Sequence, residues 1–164
     1  MFRALIPSAV LAAILAPASL ANPMGYYDTI SLDASQVVPP TDSHGSATLY
    51  VQINDLSGWS PVEGYYDACY HDLEDSVTSV TICEGSPGIN GPVLHTAYSG
   101  ESECSDESDL TGWTMDELNE AEAGNLYALI STRAHPDGEL RGQTHMQEYP
   151  VRYITWGSVK TTFR

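Results

Sequence analysis

The polar residues of the stretch 124–145 are the first candidates for chemistry. Glu139, Arg141 and Gln143 alternate along it, so a strand would place all three side chains on one face. Such a face is either exposed to solvent or buried, and the pattern alone leaves both open. Buried polar groups need partners. We therefore advance the hypothesis that Arg141 is at least partly buried and pairs with a carboxylate, Glu139 being the nearest candidate.

Metal-binding patterns are weak in this chain. Asp106, Glu107 and Asp109 offer hard oxygen ligands for calcium, but no D-x-D-x-D-G loop surrounds them, and a solvated acidic loop is the favoured interpretation. The histidines show neither H-x-H nor H-x₃-H spacing, so a histidine-based metal centre is not expected. They are His44, His71, His95, His135 and His145.

Sequence motifs for catalysis are missing as well. G-x-S-x-G, H-E-x-x-H and G-x-x-x-x-G-K do not occur. A carboxylate pair for glycoside hydrolysis depends on distance in space and not on spacing along the chain, so an extracellular enzyme stays open as the alternative. We expect a protein that is not an enzyme and that needs no cofactor.

The chain has three cysteines, so one intrachain disulfide would leave one free thiol. We expect Cys83 to pair with Cys104, because Cys83 ends a predicted strand and Cys104 lies in the loop after the next strand, so that both can meet at one edge of the fold. Cys69 would then be a buried free thiol. The rival pairing joins Cys69 to Cys83 across a hairpin centred near Ser76.

Composition and charge limit the possible partners. The chain has 164 residues, 42% of them hydrophobic, which fits one folded domain. Its net charge of −16 repels nucleic acid and anionic membrane surfaces. Solubility outside the cell is the favoured explanation of that charge, with cation binding or a basic partner as the others.

The first residues predict export. Residues 1–21 contain Arg3, an apolar core and the small residues Ser19 and Ala21 before a cleavage site, which is typical of a secretory signal peptide. No further apolar span and no GPI-type tail follow. We therefore expect a secreted chain, with a domain over residues 22–145 and a C-terminal strand or tail over 146–164.

Short alternating runs between turn signals predict a mostly β domain. A capping box at Thr114 and Glu117 indicates one short helix at 115–123, which Gly124 can end. Residues 101–109 are predicted to form a solvated loop, and residues 74–76 a hairpin turn. The predicted strands are 29–38, 46–55, 65–73, 77–83, 93–99, 126–132 and 139–146, with one more in the tail.

The stretch 126–143 resembles the closing motif of the CHRD domain, named after chordin. The matching residues are Leu126, Tyr127, Thr132, Pro136, Gly138, Glu139, Arg141, Gly142 and Gln143. The opening LDASQVVPP and the loop EGSPGINGP also resemble the family, whereas Thr81, Cys83 and Ser131 stand where it has histidines. The resemblance implies a secreted β domain with a binding or structural role and an unknown extracellular protein or glycan as partner. The fold implied by analogy is an antiparallel Greek-key β-sandwich of immunoglobulin-like or superoxide-dismutase-like type.

Overall fold

The computed structural model describes residues 24–55, 62–97 and 108–150. These contain nine strands, one α-helix and a 3₁₀ turn at Ala34–Gln36. The strands are β1 (Met24–Asp33), β2 (Ser46–Asp55), β3 (Val62–His71), β4 (Val77–Glu84), β5 (Val93–Ala97), β6 (Ser108–Trp113), β7 (Leu126–Thr132), β8 (Leu140–Gln143) and β9 (Gln147–Pro150). The helix α1 covers Met115–Glu122.

All nine strands belong to one antiparallel sheet, in the order β5-β4-β7-β8-β1-β2-β3-β6, with β9 pairing beside β8 on β1. The sheet curls into a half-barrel, and its outer strands β5 and β6 meet where the His95 ring stacks on Trp113 at 4.5 Å. The prediction of a mostly β, antiparallel domain with one short helix is confirmed. The two-sheet Greek-key sandwich is not, because the described strands form a single curled sheet.

The apolar core lies on one face of this sheet. In β2 the residues Ala47, Leu49, Val51 and Ile53 are buried, and they alternate with more exposed polar ones as half-buried strands do. The same face continues through the neighbouring strands, since Leu49 pairs with Ile30 of β1 and with Ala68 of β3. Helix α1 adds Leu118 and Ala121 to the same cluster.

The helix follows its sequence signals closely. The Thr114 hydroxyl accepts the Glu117 amide, and the Glu117 carboxylate accepts the Thr114 amide, which completes the predicted capping box. Gly124 follows with φ +76°, a conformation that glycine adopts without a Cβ clash. The predicted helix is therefore confirmed.

Three sequence predictions differ from the structure. The first strand ends at Asp33, because its side chain accepts the amides of Ser35 and Gln36 and turns the chain. Residues 74–76 do not close a hairpin, since β3 pairs with β2 and β6 whereas β4 pairs with β5 and β7. The predicted acidic loop contains the start of β6, which pairs with β3.

Candidate functional site

Arg141 lies at the centre of the candidate site. It comes from β8, is 1% exposed, and its guanidinium lies 3.7 Å from the centroid of the Tyr127 ring on β7. This geometry is a cation–π contact, which strengthens when the cation is removed from water. Burial lowers the pKa of Arg141 below its ordinary value and raises that of Tyr127. The predicted burial of Arg141 is confirmed.

The partners of Arg141 are neutral, so its predicted pairing with a carboxylate is wrong. Its guanidinium donates to the carbonyl oxygens of Ser86 (3.1 Å) and Ile89 (3.0 Å). Further bonds reach the side-chain oxygens of Asn90 and Gln143, each at 3.3 Å. The first three acceptors belong to the loop between β4 and β5, so Arg141 holds that loop against the sheet. A planar guanidinium with several donors suits such a set of acceptors.

Gln143 adds bonds to the same loop and to the segment that leads into β7. Its amide nitrogen lies 2.7 Å from the carbonyl oxygens of Gly85 and Leu126 and 2.8 Å from that of Gly124. The same loop reaches a further segment, because Asn90 donates to the carbonyl oxygen of Val38 at 2.6 Å. The polar side chains of β8 therefore hold neighbouring loops in place through hydrogen bonds.

Glu139 is fully buried and separate from Arg141. Its carboxylate accepts the hydroxyls of Ser43 and Thr132, each at 2.6 Å, and the backbone amide of Glu74 at 2.9 Å. The alternation of residues placed Glu139 and Arg141 on one face, but each has its own set of partners. The buried carboxylate is therefore stabilised by neutral hydroxyls and an amide, and not by the expected salt bridge.

The turn between β7 and β8 brings His135 to Glu74. The two side chains lie 2.8 Å apart from nitrogen to oxygen, and this hydrogen bond raises the pKa of His135. Asp42 is close as well, since one ligating atom from each of the three residues falls within 4.8 Å of the others. Among the described residues this is the group that could hold a metal ion.

Two glycines of the motif are required by close packing. Gly138 has φ +123° and a Cβ there would lie 2.6 Å from a Leu129 methyl group. A Cβ on Gly142 would lie 2.5 Å from the Ser31 carbonyl oxygen, because β8 crosses β1 closely. Pro136 lies in the exposed turn closed by the Gly138 amide, which donates to the His135 carbonyl oxygen at 3.1 Å. The six predicted motif residues thus lie together.

Two pockets flank the segment 37–40. One, of about 310 Å³, has Arg141 and Gln143 in its wall together with Pro87 and Gly88. The other, of about 300 Å³, is lined by the same segment and by residues 134–138. Three loops, over residues 37–41, 85–92 and 134–138, therefore form one pocketed surface, which we call the loop face.

The remaining predicted site residues do not gather here. Asp106 and Glu107 lie outside the described residues, and Asp109 is in β6, paired with Tyr65. For Asp106 and Glu107 the solvated acidic loop stays the favoured prediction, and calcium binding stays its weaker alternative. Of the three positions where the resemblance expects histidine, Thr81 and Cys83 are neighbours on β4, with Oγ1 and Sγ 3.5 Å apart. These two side chains and Ser131 are buried.

Both predicted disulfide pairings involve Cys83, and both are wrong. Cys83 is a free, buried thiol on β4, whereas Cys69 is disulfide-bonded. The rival pairing of the two fails because β3 and β4 are separated in the sheet by β7, β8, β1 and β2. Cys104 lies outside the described residues.

We expect a peptide map without reduction to join Cys69 to Cys104. The chain has only three cysteines, and the free state of Cys83 leaves Cys104 as the one intrachain partner. Cys83 should react with iodoacetamide only after unfolding, because burial blocks access to its thiol. A linked peptide that contains Cys83, or its rapid alkylation in the folded protein, would contradict this pairing.

The domain is a curled antiparallel sheet in which Arg141 and Gln143 of β8 hold the loop between β4 and β5 and the start of β7 in place. The chain belongs to the CHRD domain family, which matches residues 29–144. This match lies within the predicted domain of residues 22–145. No curated protein and no solved structure matches the chain. Among the described residues, no helix has the length and apolar character needed to cross a membrane.

Sequence reasoning found the motif but missed most of its partners. The family resemblance includes Asn90 and Tyr127 but assigns them no role, and nothing in the sequence indicates that Ser43 and Thr132 bind a buried carboxylate. Glu74 lies 61 residues from His135. No local spacing rule links residues so far apart.

Proposed function

We propose that this chain is a secreted, non-enzymatic binding module and that the loop face is its ligand-binding surface. The observation that carries the proposal is the use of the motif side chains. Arg141, Gln143 and Glu139 form hydrogen bonds that hold loops in place, as the supporting groups of a rigid binding surface do. Preorganised loops lose little conformational entropy when a ligand binds.

The composition of the loop face favours a protein partner. Ile89 is 59% exposed, and Pro39, Pro40 and Pro87 of the same loop face are exposed as well. Exposed apolar side chains next to shallow pockets are typical of protein-binding surfaces. A glycan, the other partner that the sequence left open, binds preferentially to exposed aromatic rings, whereas Tyr127 is covered by Arg141.

The test is retention of a partner from extracellular fluid on the immobilised protein. We compare the unaltered chain with Ile89→Asp, which places a charge on the loop face, and with Thr78→Asp, a matched change at an exposed position of β4. Ile89→Asp should reduce retention at least about tenfold, and Thr78→Asp should not. Equal retention by all three chains would refute the loop face as the binding surface, and a retained glycan would refute the protein partner.

The alternative is an extracellular metal-dependent enzyme on the same scaffold. One observation favours it, the position of Asp42, Glu74 and His135 beside a pocket of about 300 Å³ that His135 helps to line. A hydrolysis assay on a panel of ester, phosphoester and glycoside substrates separates the two functions. Turnover that His135→Gln abolishes would establish the enzyme and overturn the binding module.

A further inference from the structure

We propose that Asp42, Glu74 and His135 bind a divalent transition-metal ion, with Zn²⁺ as the best fit. The three residues come from the loop after the 3₁₀ turn, the connection between β3 and β4, and the turn between β7 and β8. Their ligating atoms already lie within 4.8 Å of one another. His135 also belongs to the loop face, but the metal-binding proposal does not rest on the proposed binding function.

The donor set selects the type of metal. One imidazole nitrogen and two carboxylate oxygens suit zinc and its neighbours, whereas calcium and magnesium prefer oxygen ligands alone. Around an ion with bonds of roughly 2.0–2.2 Å, neighbouring ligand atoms lie roughly 3–3.5 Å apart. The nitrogen of His135 and the oxygen of Glu74 are 2.8 Å apart. A small outward movement of these two side chains would therefore admit the ion in place of the shared proton.

A single buried group positions all three ligands. The Glu139 carboxylate accepts the backbone amide of Glu74 and the hydroxyl of Ser43, the residue after Asp42. It also accepts the Thr132 hydroxyl, whose oxygen in turn accepts the backbone amide of His135 at 3.2 Å. Each ligand-bearing segment is thus tied to the same carboxylate. Such outer groups orient ligands at metal sites.

In the part of the chain that the structure describes, His135 is the one basic group that offsets the charge of the cluster. Asp42, Glu74 and Glu139 are three carboxylates around one imidazole, and all three act electrostatically on His135. Within residues 24–55, 62–97 and 108–150, none of them forms an ion pair with a lysine or an arginine. A divalent cation would offset the repulsion that these carboxylates exert on one another. Asp42 and Glu74 are exposed, so the ion has a direct path from solvent.

The experiment is calorimetric titration of the chelator-treated protein with Zn²⁺, followed by the visible spectrum of the Co²⁺ form. We expect one saturable site and Co²⁺ bands of a nitrogen- and oxygen-ligated ion. His135→Gln and Glu74→Gln should each weaken Zn²⁺ binding by about tenfold or more. Their matched controls are His44→Gln and Asp75→Asn, which change exposed neighbours of the site and should leave the affinity unchanged.

Three outcomes would overturn the proposal. They are the absence of saturable Zn²⁺ binding, an affinity that His135→Gln leaves unaltered, and competition by Ca²⁺ at equal concentration. Circular dichroism of each variant verifies folding, which changes at these partly exposed side chains should preserve. The partner-retention test uses Ile89→Asp and does not involve these residues, so the two proposals fail or succeed separately.

Discussion

Replacing Arg141 with alanine is expected to lower the free energy of unfolding by about 3 kcal/mol, since each hydrogen bond of a charged group contributes roughly 1.5–3 kcal/mol. The change removes the donors of the Ser86 and Ile89 carbonyl oxygens and the contact with the Tyr127 ring. Burying the Arg141 charge costs free energy, and removing that charge offsets part of the expected loss of stability. Chemical denaturation with urea measures the difference directly.

Two further variants serve as controls for the Arg141→Ala result. Arg133→Ala removes an exposed arginine from the same hairpin and should change stability by less than about 0.5 kcal/mol. Arg141→Lys keeps the charge but lacks the planar fork, so it should recover only a minor part of the loss. A loss below about 1 kcal/mol for Arg141→Ala would show that the residue acts as an ordinary surface charge.

Replacing Glu139 with alanine should cost about 4 kcal/mol. The substitution strips the acceptor from three donors, the hydroxyls of Ser43 and Thr132 and the amide of Glu74. Bonds to a carboxylate are stronger than neutral ones, and donors left unpaired in a buried site pay a desolvation penalty of roughly 1–3 kcal/mol each. A cavity at a residue with no exposed surface adds to the cost.

The glutamine variant separates charge from shape at this position. Glu139→Gln keeps the volume, and the hydroxyls of Ser43 and Thr132 can rotate to accept from an amide. We expect roughly half the alanine loss. Asp137→Asn, an exposed acid in the adjoining turn, serves as the control and should be nearly neutral. Equal stability of Glu139→Ala and the control in urea denaturation would refute the role of Glu139.

Local features of the fold were predictable from the sequence, and pairings between distant segments were not. The alternation of 46–55 and the capping box at Thr114 depend on neighbours within a few residues, so β2 and α1 were correctly located. The partners of β3 depend on loop paths and tertiary packing, which a turn signal at 74–76 does not encode. The sequence therefore suggested a hairpin and a second sheet where the chain continues one curled sheet.

The site divides in the same way. The CHRD resemblance selected Glu139, Arg141 and Gln143 as a unit, because the motif fixes residue types at fixed spacing. Their partners come from elsewhere in the chain, and the hydroxyl of Ser43 is 96 residues from Glu139. A buried carboxylate that accepts hydroxyl and amide hydrogen bonds needs no opposite charge, so the expectation of a salt bridge between Glu139 and Arg141 was wrong.

The place of β1 in the sheet has a consequence for synthesis of the chain. β1 joins the half that contains β2, β3 and β6 to the half that contains β8, β7, β4 and β5. Its partners on that second side, β8 and β9, begin only at Leu140 and Gln147. A growing chain therefore exposes one edge of its first strand until nearly the whole domain has left the ribosome. Pairing over such separations slows folding, and the unpaired edge is open to association with other chains during that interval.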